Sequence, residues 1–181
     1  MGKRFKSIEE GQREFIRRQK IYFVATAACD GRVNVSPKGM DTLRVLSANR
    51  VVWLNLTGSG NETAAHLLQN DRMTLMFCAF EGDPLILRLY GRARAVYPGE
   101  AAWDEWIREF PAMPGARQLM DMHVDLVQTS CGMGVPLFDF AGERDGLKRW
   151  AEKRGPEGIE EYWREHNRLS LDGRPTKVPG Y

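Results

Sequence analysis

The residues of this chain that could carry chemistry are three histidines, three cysteines, one lysine held between a proline and a glycine, and one glycine loop. His66, His123 and His166 have no metal-ligand spacing, and no CxxC occurs, so neither a hydrolytic nor a structural metal site is expected. Cys131 stands between Ser130 and Gly132, but no histidine at a diagnostic offset would activate it. The loop is the stronger signal. Val51–Leu56 is an apolar run, Thr57-Gly58-Ser59-Gly60-Asn61 breaks it, and Glu62 to Leu68 has helix composition. Strand, glycine loop and helix start together let backbone N–H groups approach a phosphate or carboxylate. Ser59-x-x-Glu62 also fits a capping box, in which the two side chains serve only the helix end, and both readings stand at this point. A nucleotide-hydrolase P-loop requires a lysine after Gly60, and a dinucleotide fingerprint requires a third glycine near Thr63; neither is present.

The elements that must position these residues follow from composition and pattern. A chain of 181 residues with 43% hydrophobic and 28% charged residues is expected to form one domain, residues 1–181, with a real core. A net charge of +2 argues against a general nucleic-acid binder. No long apolar stretch argues for a membrane span, and the basic N-terminal residues lack an apolar run behind them. Cys29, Cys78 and Cys131 are odd in number and far apart, as for reduced thiols, and a cytoplasmic location is expected.

Ser7 to Gln19 reads as an amphipathic helix opened by a Ser7/Glu10 capping box, with Ile8, Gln12, Phe15 and Ile16 on one face. Residues 21–29 and 32–39 flank Asp30-Gly31, a strong hairpin signal. In the second arm Arg32, Asn34, Ser36 and Lys38 share one face and Val33 and Val35 the other, so a polar row ends in a lysine that either aims at a ligand or is solvated. Residues 42–46 and 51–56 form a further hairpin, 62–69 a short helix, 73–80 a strand buried on both faces, and 85–97 a long alternating strand whose small inward residues imply curvature. Residues 100–110 read as helix and 120–131 as the last strand. Two helices, about 143–154 and 157–168, and a loose tail from Asp172 complete the chain. Six or seven strands joined by hairpin-like turns favour a mainly β, antiparallel barrel with peripheral and C-terminal helices.

Four segments in order carry a resemblance. Ser36-Pro37-Lys38-Gly39, Gly60-Asn61 after the strand ending Asn55-Leu56, Asn70-Asp71-Arg72, and Leu87-Arg88-Leu89-Tyr90-Gly91-Arg92-Ala93 together resemble the pyridoxamine 5′-phosphate oxidase-related family of flavin proteins over about residues 5–140. The resemblance implies a split β-barrel, a homodimer, and FMN in a cleft between subunits, with residues 141–181 a helical C-terminal extension. It implies that Ser36, Pro37 and Lys38 run beside the isoalloxazine ring and that Thr57, Gly58, Ser59, Gly60, Asn61 and Thr63 surround the phosphate. It implies further cofactor contacts from Asn55, Arg88, Gln128 and Ser130, the last two on a strand that approaches the flavin in dimers.

Two departures qualify it. Glu62 and Thr63 stand where the family commonly has basic residues for the phosphate, so charge must come from Lys38, Arg72, Arg88 or a partner subunit. The closing arginine-leucine-x-proline pattern of true pyridoxamine phosphate oxidases is absent, because the chain ends Lys-Val-Pro-Gly-Tyr. The expected function is an FMN-dependent oxidoreductase with a small-molecule substrate and NAD(P)H as candidate electron donor. No catalytic acid or base is assigned, since the flavin carries the reaction. The alternatives are a non-catalytic flavin- or haem-binding protein of the same fold and a deazaflavin-using reductase.

Overall fold

The computed structural model describes residues 2–178. Eight strands form one antiparallel sheet: β1 (Arg4–Phe5), β2 (Tyr22–Ala27), β3 (Val33–Lys38), β4 (Leu43–Ser47), β5 (Arg50–Leu56), β6 (Arg72–Cys78), β7 (Ile86–Val96) and β8 (Ala116–Ser130). The order across the sheet is β3-β2-β6-β7-β8-β5-β4, with the two-residue β1 added beside β8. β3 and β4 end this path without pairing with each other, which is the split in the barrel. β1, too short to show a period, is the strand the sequence pattern does not reveal.

Four helices accompany the sheet: α1 (Glu10–Arg18), α2 (Glu62–Leu67), α3 (Ala101–Trp106) and α4 (Gly146–His166). α1 starts later than its Ser7 signal, because Gln12 Oε1 accepts the Glu9 N–H at 3.0 Å and moves the capping box two residues on. Its buried face is Gln12, Phe15 and Ile16, as the spacing predicts. α4 is two helical pieces broken at Gly155, which has φ 68° and is followed by Pro156 at the start of the second piece.

The core lies on the concave side of the sheet. Val24, Leu75, Leu89 and Val127 form one fully buried cross-strand row. Each such side chain contributes about 1.5–3 kcal/mol of burial. β7 bends where Gly91 meets β8: a Cβ there would lie 1.9 Å from the His123 carbonyl oxygen, so the curvature requires glycine. β6 is not buried on both faces as its unbroken apolar run suggests. Met73, Leu75 and Phe77 are buried, whereas Thr74 and Met76 on the outer face are half-buried, because no helix among the described residues covers that side.

One face left open by the sequence is decided, and one expectation is corrected. β3 is turned opposite to its apparent polarity, with Val33 70% and Val35 62% exposed on the outer face while Asn34, Ser36 and Lys38 point inward and are partly buried. The inward row is polar because it meets the start of α2, where Asn34 Nδ2 donates to Thr63 Oγ1 at 3.3 Å. The tail is tied down rather than loose: Asp172 pairs with Arg32, Thr176 N–H donates to the Arg168 carbonyl at 2.9 Å, and Val178 is buried. Residues 179–181, the rest of the expected loose tail, lie outside the described residues.

Candidate cofactor site

β5 ends at Leu56 and delivers the glycine loop to the N-terminus of α2, the arrangement the sequence predicts. The capping box does not form. Asn61 is the residue at the N-cap, and Glu62 Oε1 instead accepts the Leu171 N–H at 2.9 Å from the C-terminal segment. The one carboxylate beside the loop is thus turned outward into the tail.

The C-terminal extension fastens the loop from outside. Trp163 Nε1 donates to Thr57 Oγ1 at 2.8 Å, and Thr57 Oγ1 donates to the Gly115 carbonyl at 2.8 Å. Asn167 Nδ2 donates to the Gly58 carbonyl at 3.1 Å, and Arg117 holds the Gly60 carbonyl at 3.2 Å through both terminal nitrogens. Ser59 and Gly58 are the loop's exposed tip.

Inside the loop lies a group of polar side chains with a common sign. Asn55 Nδ2 donates to Gln118 Oε1 at 2.8 Å and lies 3.5 Å from Asn61 Oδ1. The Lys38 ammonium sits 5.2 Å from the centre of the Trp53 ring. Burial first, and then repulsion from Arg117, push Lys38 down to about 8, while burial pushes Arg117 down to about 10. Both still favour the charged form at neutral pH, and no carboxylate among the described residues pairs with either of them. Ser36 Oγ, Trp53 Nε1, Asn61 Nδ2 and Arg117 Nε are buried with no hydrogen-bond partner among the described residues. Burying unpaired donors beside two cations is costly unless an acceptor of negative charge completes the set. The donors suit an anion and exclude a cation.

One chain therefore brings together Ser36, Lys38, Asn55, Asn61 and Thr63 around the loop, with Thr57, Gly58, Ser59 and Gly60 forming it. It does not bring Arg88, Gln128 and Ser130 there. Arg88 NH1 donates to Ser130 Oγ at 3.1 Å and Gln128 Oε1 accepts from the Tyr90 hydroxyl at 3.1 Å, all on the outer sheet face. Pro37 shares that face in the row Pro37, Phe23, Met76, Arg88, Gln128, three strands from Arg88 and so roughly 14 Å away. Arg72 is likewise no part of the cluster, its guanidinium bonding to Asn70 Oδ1 at 3.1 Å. His66 is packed, with Nδ1 3.1 Å from Thr26 Oγ1.

Arg117, Gln118, Trp163 and Asn167 belong to the site and are not found by pattern reading. Arg117-Gln118 follows Pro114-Gly115, and β8 begins there, four residues before its apolar run at Met120 makes a strand visible. A polar pair heading a buried strand was the available signal.

Residues 8–131 match the family model described as pyridoxamine 5′-phosphate oxidase. A pyridoxamine 5′-phosphate oxidase family protein of Aspergillus flavus, ustO, is 34% identical over 189 residues, covering 94% of this chain and 76% of that protein. Among solved structures, HupZ from Group A Streptococcus has TM-score 0.52 at 21% identity, covering 66% of this chain and 91% of that chain. A putative pyridoxamine 5′-phosphate oxidase from Lactobacillus delbrueckii has TM-score 0.54 at 16% identity, covering 68% and 94%. At these identities the two structures speak for the fold, and the family match and the 34% relative speak for kinship.

Proposed function

The chain belongs to the pyridoxamine 5′-phosphate oxidase family, and from that premise we propose that it is an FMN-binding oxidoreductase acting on a small molecule other than pyridoxamine 5′-phosphate. The observation that carries the reading is the pair of cations, the buried Arg117 and the half-buried Lys38, set among unpartnered donors at a glycine loop. A phosphate monoester supplies the acceptors and the negative charge that this set lacks. Arg117 and Asn61 take the phosphate, and Ser36 donates its hydroxyl to the bound cofactor. Lys38 stands between this cluster and a cavity on the far side of β3, where a positive charge favours the reduced, more negative form of a flavin. When bound, FMN supplies the electron or hydride transfer. The protein holds, orients and charges its surroundings, so no side-chain acid or base is assigned.

The partner side of the proposal is a homodimer with NAD(P)H as electron donor. The homodimer's support is the half-buried outer sheet face ending at the exposed Val33 and Val35. Arg88, Gln128 and Ser130 on that face are then the residues one subunit offers to the other's cofactor.

The test is the visible spectrum of purified protein, titrated with FMN. Flavin bands and a saturating titration support the reading. A colourless protein that takes up no FMN overturns it, and a Soret band replaces it with haem binding. Anaerobic reduction by NADH or NADPH, followed by reoxidation in air, separates an enzyme from a passive carrier.

A further inference from the structure

A cavity of about 1350 Å³ lies on the other side of Pro37 and Lys38 from the anion cluster. Drug-sized ligands fill roughly 300–1000 Å³, so this space exceeds what a flavin ring or a nicotinamide needs. Its sheet wall carries Phe23, and an irregular strap carrying Phe138 and Phe140 forms a second wall, with Phe138 packed against Phe80 just beyond the end of β6. The strap is held lightly. Phe138 N–H donates to the Phe80 carbonyl at 3.0 Å, the two phenyl rings stand 5.4 Å apart, and Lys20 lies 5.5 Å above the Phe140 ring. Phe138 remains 60% and Phe140 46% exposed, a pair of aromatic side chains left wet at the mouth of an apolar space.

Charge narrows the ligand further. The cavity lining carries as many acidic as basic side chains, so a polyanion gains nothing there, in contrast to the cationic cluster behind Lys38. Aromatic walls favour stacked or edge-on rings, and burial of each ring face adds apolar area.

We infer that this cavity binds a bulky, uncharged, multi-ring apolar molecule against Phe23, the packed Phe80/Phe138 pair and Phe140, and that this is the substrate class of the protein. Its standing as substrate, though not its binding, rests on the flavin reading above. A molecule seated there contacts Pro37 and reaches Lys38 from the side opposite the phosphate cluster, so that cofactor and substrate share the same short segment of β3.

The probe is N-phenyl-1-naphthylamine, uncharged and three-ringed, whose fluorescence rises on leaving water. Saturable binding at one site per chain is expected, weakened at least tenfold in the Phe138→Asp/Phe140→Asp double variant. Leu171→Asp, at an exposed apolar residue outside the cavity lining, is expected to leave it unchanged. The sulfonated analogue 1-anilinonaphthalene-8-sulfonate is expected to bind at least tenfold more weakly. Equal binding of the sulfonate, or an unaltered affinity in the double variant, overturns the inference. FMN affinity, followed by flavin fluorescence in the same samples, is expected to change less than twofold in the double variant. Wild-type protein that binds the naphthylamine through Phe138 and Phe140 but takes up no FMN sinks the oxidoreductase reading and leaves the apolar site standing.

Discussion

Asn167 Oδ1 accepts a hydrogen bond from Arg117 NH1 at 2.5 Å, and both side chains are buried. The second half of the Asn167 amide donates to the Gly58 carbonyl, so one residue of the C-terminal extension orients the buried guanidinium and the glycine loop together. The extension is therefore built into the loop and its buried guanidinium rather than added beside them.

Asn167→Asp keeps an acceptor for Arg117 but adds a negative charge next to it and loses the donation to Gly58, a net hydrogen bond of about 1 kcal/mol offset by the stronger charged pair. FMN affinity is expected to fall at least tenfold, whereas riboflavin, which lacks the phosphate, is expected to bind as before. Asn167→Ala leaves the guanidinium short of an acceptor and is expected to destabilise the fold by about 1–3 kcal/mol in urea melts. An unchanged FMN-to-riboflavin ratio in Asn167→Asp would show that Arg117 does not serve a phosphate.

Lys38 sets a pH dependence whose sign follows from its depressed value. Burial and Arg117 bring it to about 8, below the ordinary lysine value of 10.5, so the native state holds fewer protons than the unfolded chain between those values. Apoprotein stability therefore rises as pH increases through this window, and below pH 8 the burial penalty is present in full. A bound anionic cofactor would raise Lys38 from this value, and a reduced flavin, more negative still, would raise it further, so reduction would be coupled to proton uptake in the pH window between the two. The midpoint potential is then expected to fall about 30 mV per pH unit faster within that alkaline window than below it, as for one proton per two electrons. Lys38→Ala removes the extra slope and lowers the potential at neutral pH. A potential and slope identical to wild type would remove Lys38 from the cofactor's surroundings.

Gly91→Ala probes the barrel bend. Its Cβ would lie 1.9 Å from the His123 carbonyl oxygen and 3.0 Å from Val124 Cα, and backbone atoms of a paired strand cannot step aside as a side chain could. The expected loss is at or above the upper end of the roughly 1–3 kcal/mol usual for overpacking, read as a lower urea midpoint. A midpoint within error of wild type would mean that β7 and β8 separate there at little cost.

What was legible in the sequence was local. Period-2 alternation gave β7 its faces, Asp30-Gly31 its hairpin, and the change from alternating bulk to glycine at Thr57–Asn61 the loop. What was not legible depends on contacts across long separations. Val33 and Val35 look like core residues by type, but the register with β2 sets Ser36 opposite the buried Val24 and so turns both valines to the outer face. Glu62 fits a capping box by spacing, yet its partner is 109 positions away at Leu171. The cation nearest the loop, Arg117, stands not beside Glu62 and Thr63 but on β8, and reaches the Gly60 carbonyl because β8 pairs with β5. No local pattern contains that pairing.

Val35→Asp tests the outer face of the sheet. Val35 heads a cross-strand row through Ala25, Thr74, Tyr90 and Leu126, a band of small, aromatic and apolar side chains with no helix among the described residues over it. In a lone chain a substitution at a side chain 62% exposed costs within about 0.5 kcal/mol, because the new carboxylate stays in water. In a dimer that covers this band the same carboxylate is buried without a partner and opposes association. Sedimentation velocity is expected to give twice the 20.6 kDa chain mass for wild type and the single mass for Val35→Asp, with thermal unfolding little changed when extrapolated to low concentration. Because Arg88, Gln128 and Ser130 then no longer reach a second subunit, FMN affinity is expected to fall along with the mass. A variant that keeps both the wild-type mass and the wild-type affinity places the subunit contact elsewhere and leaves those three residues without a cofactor role.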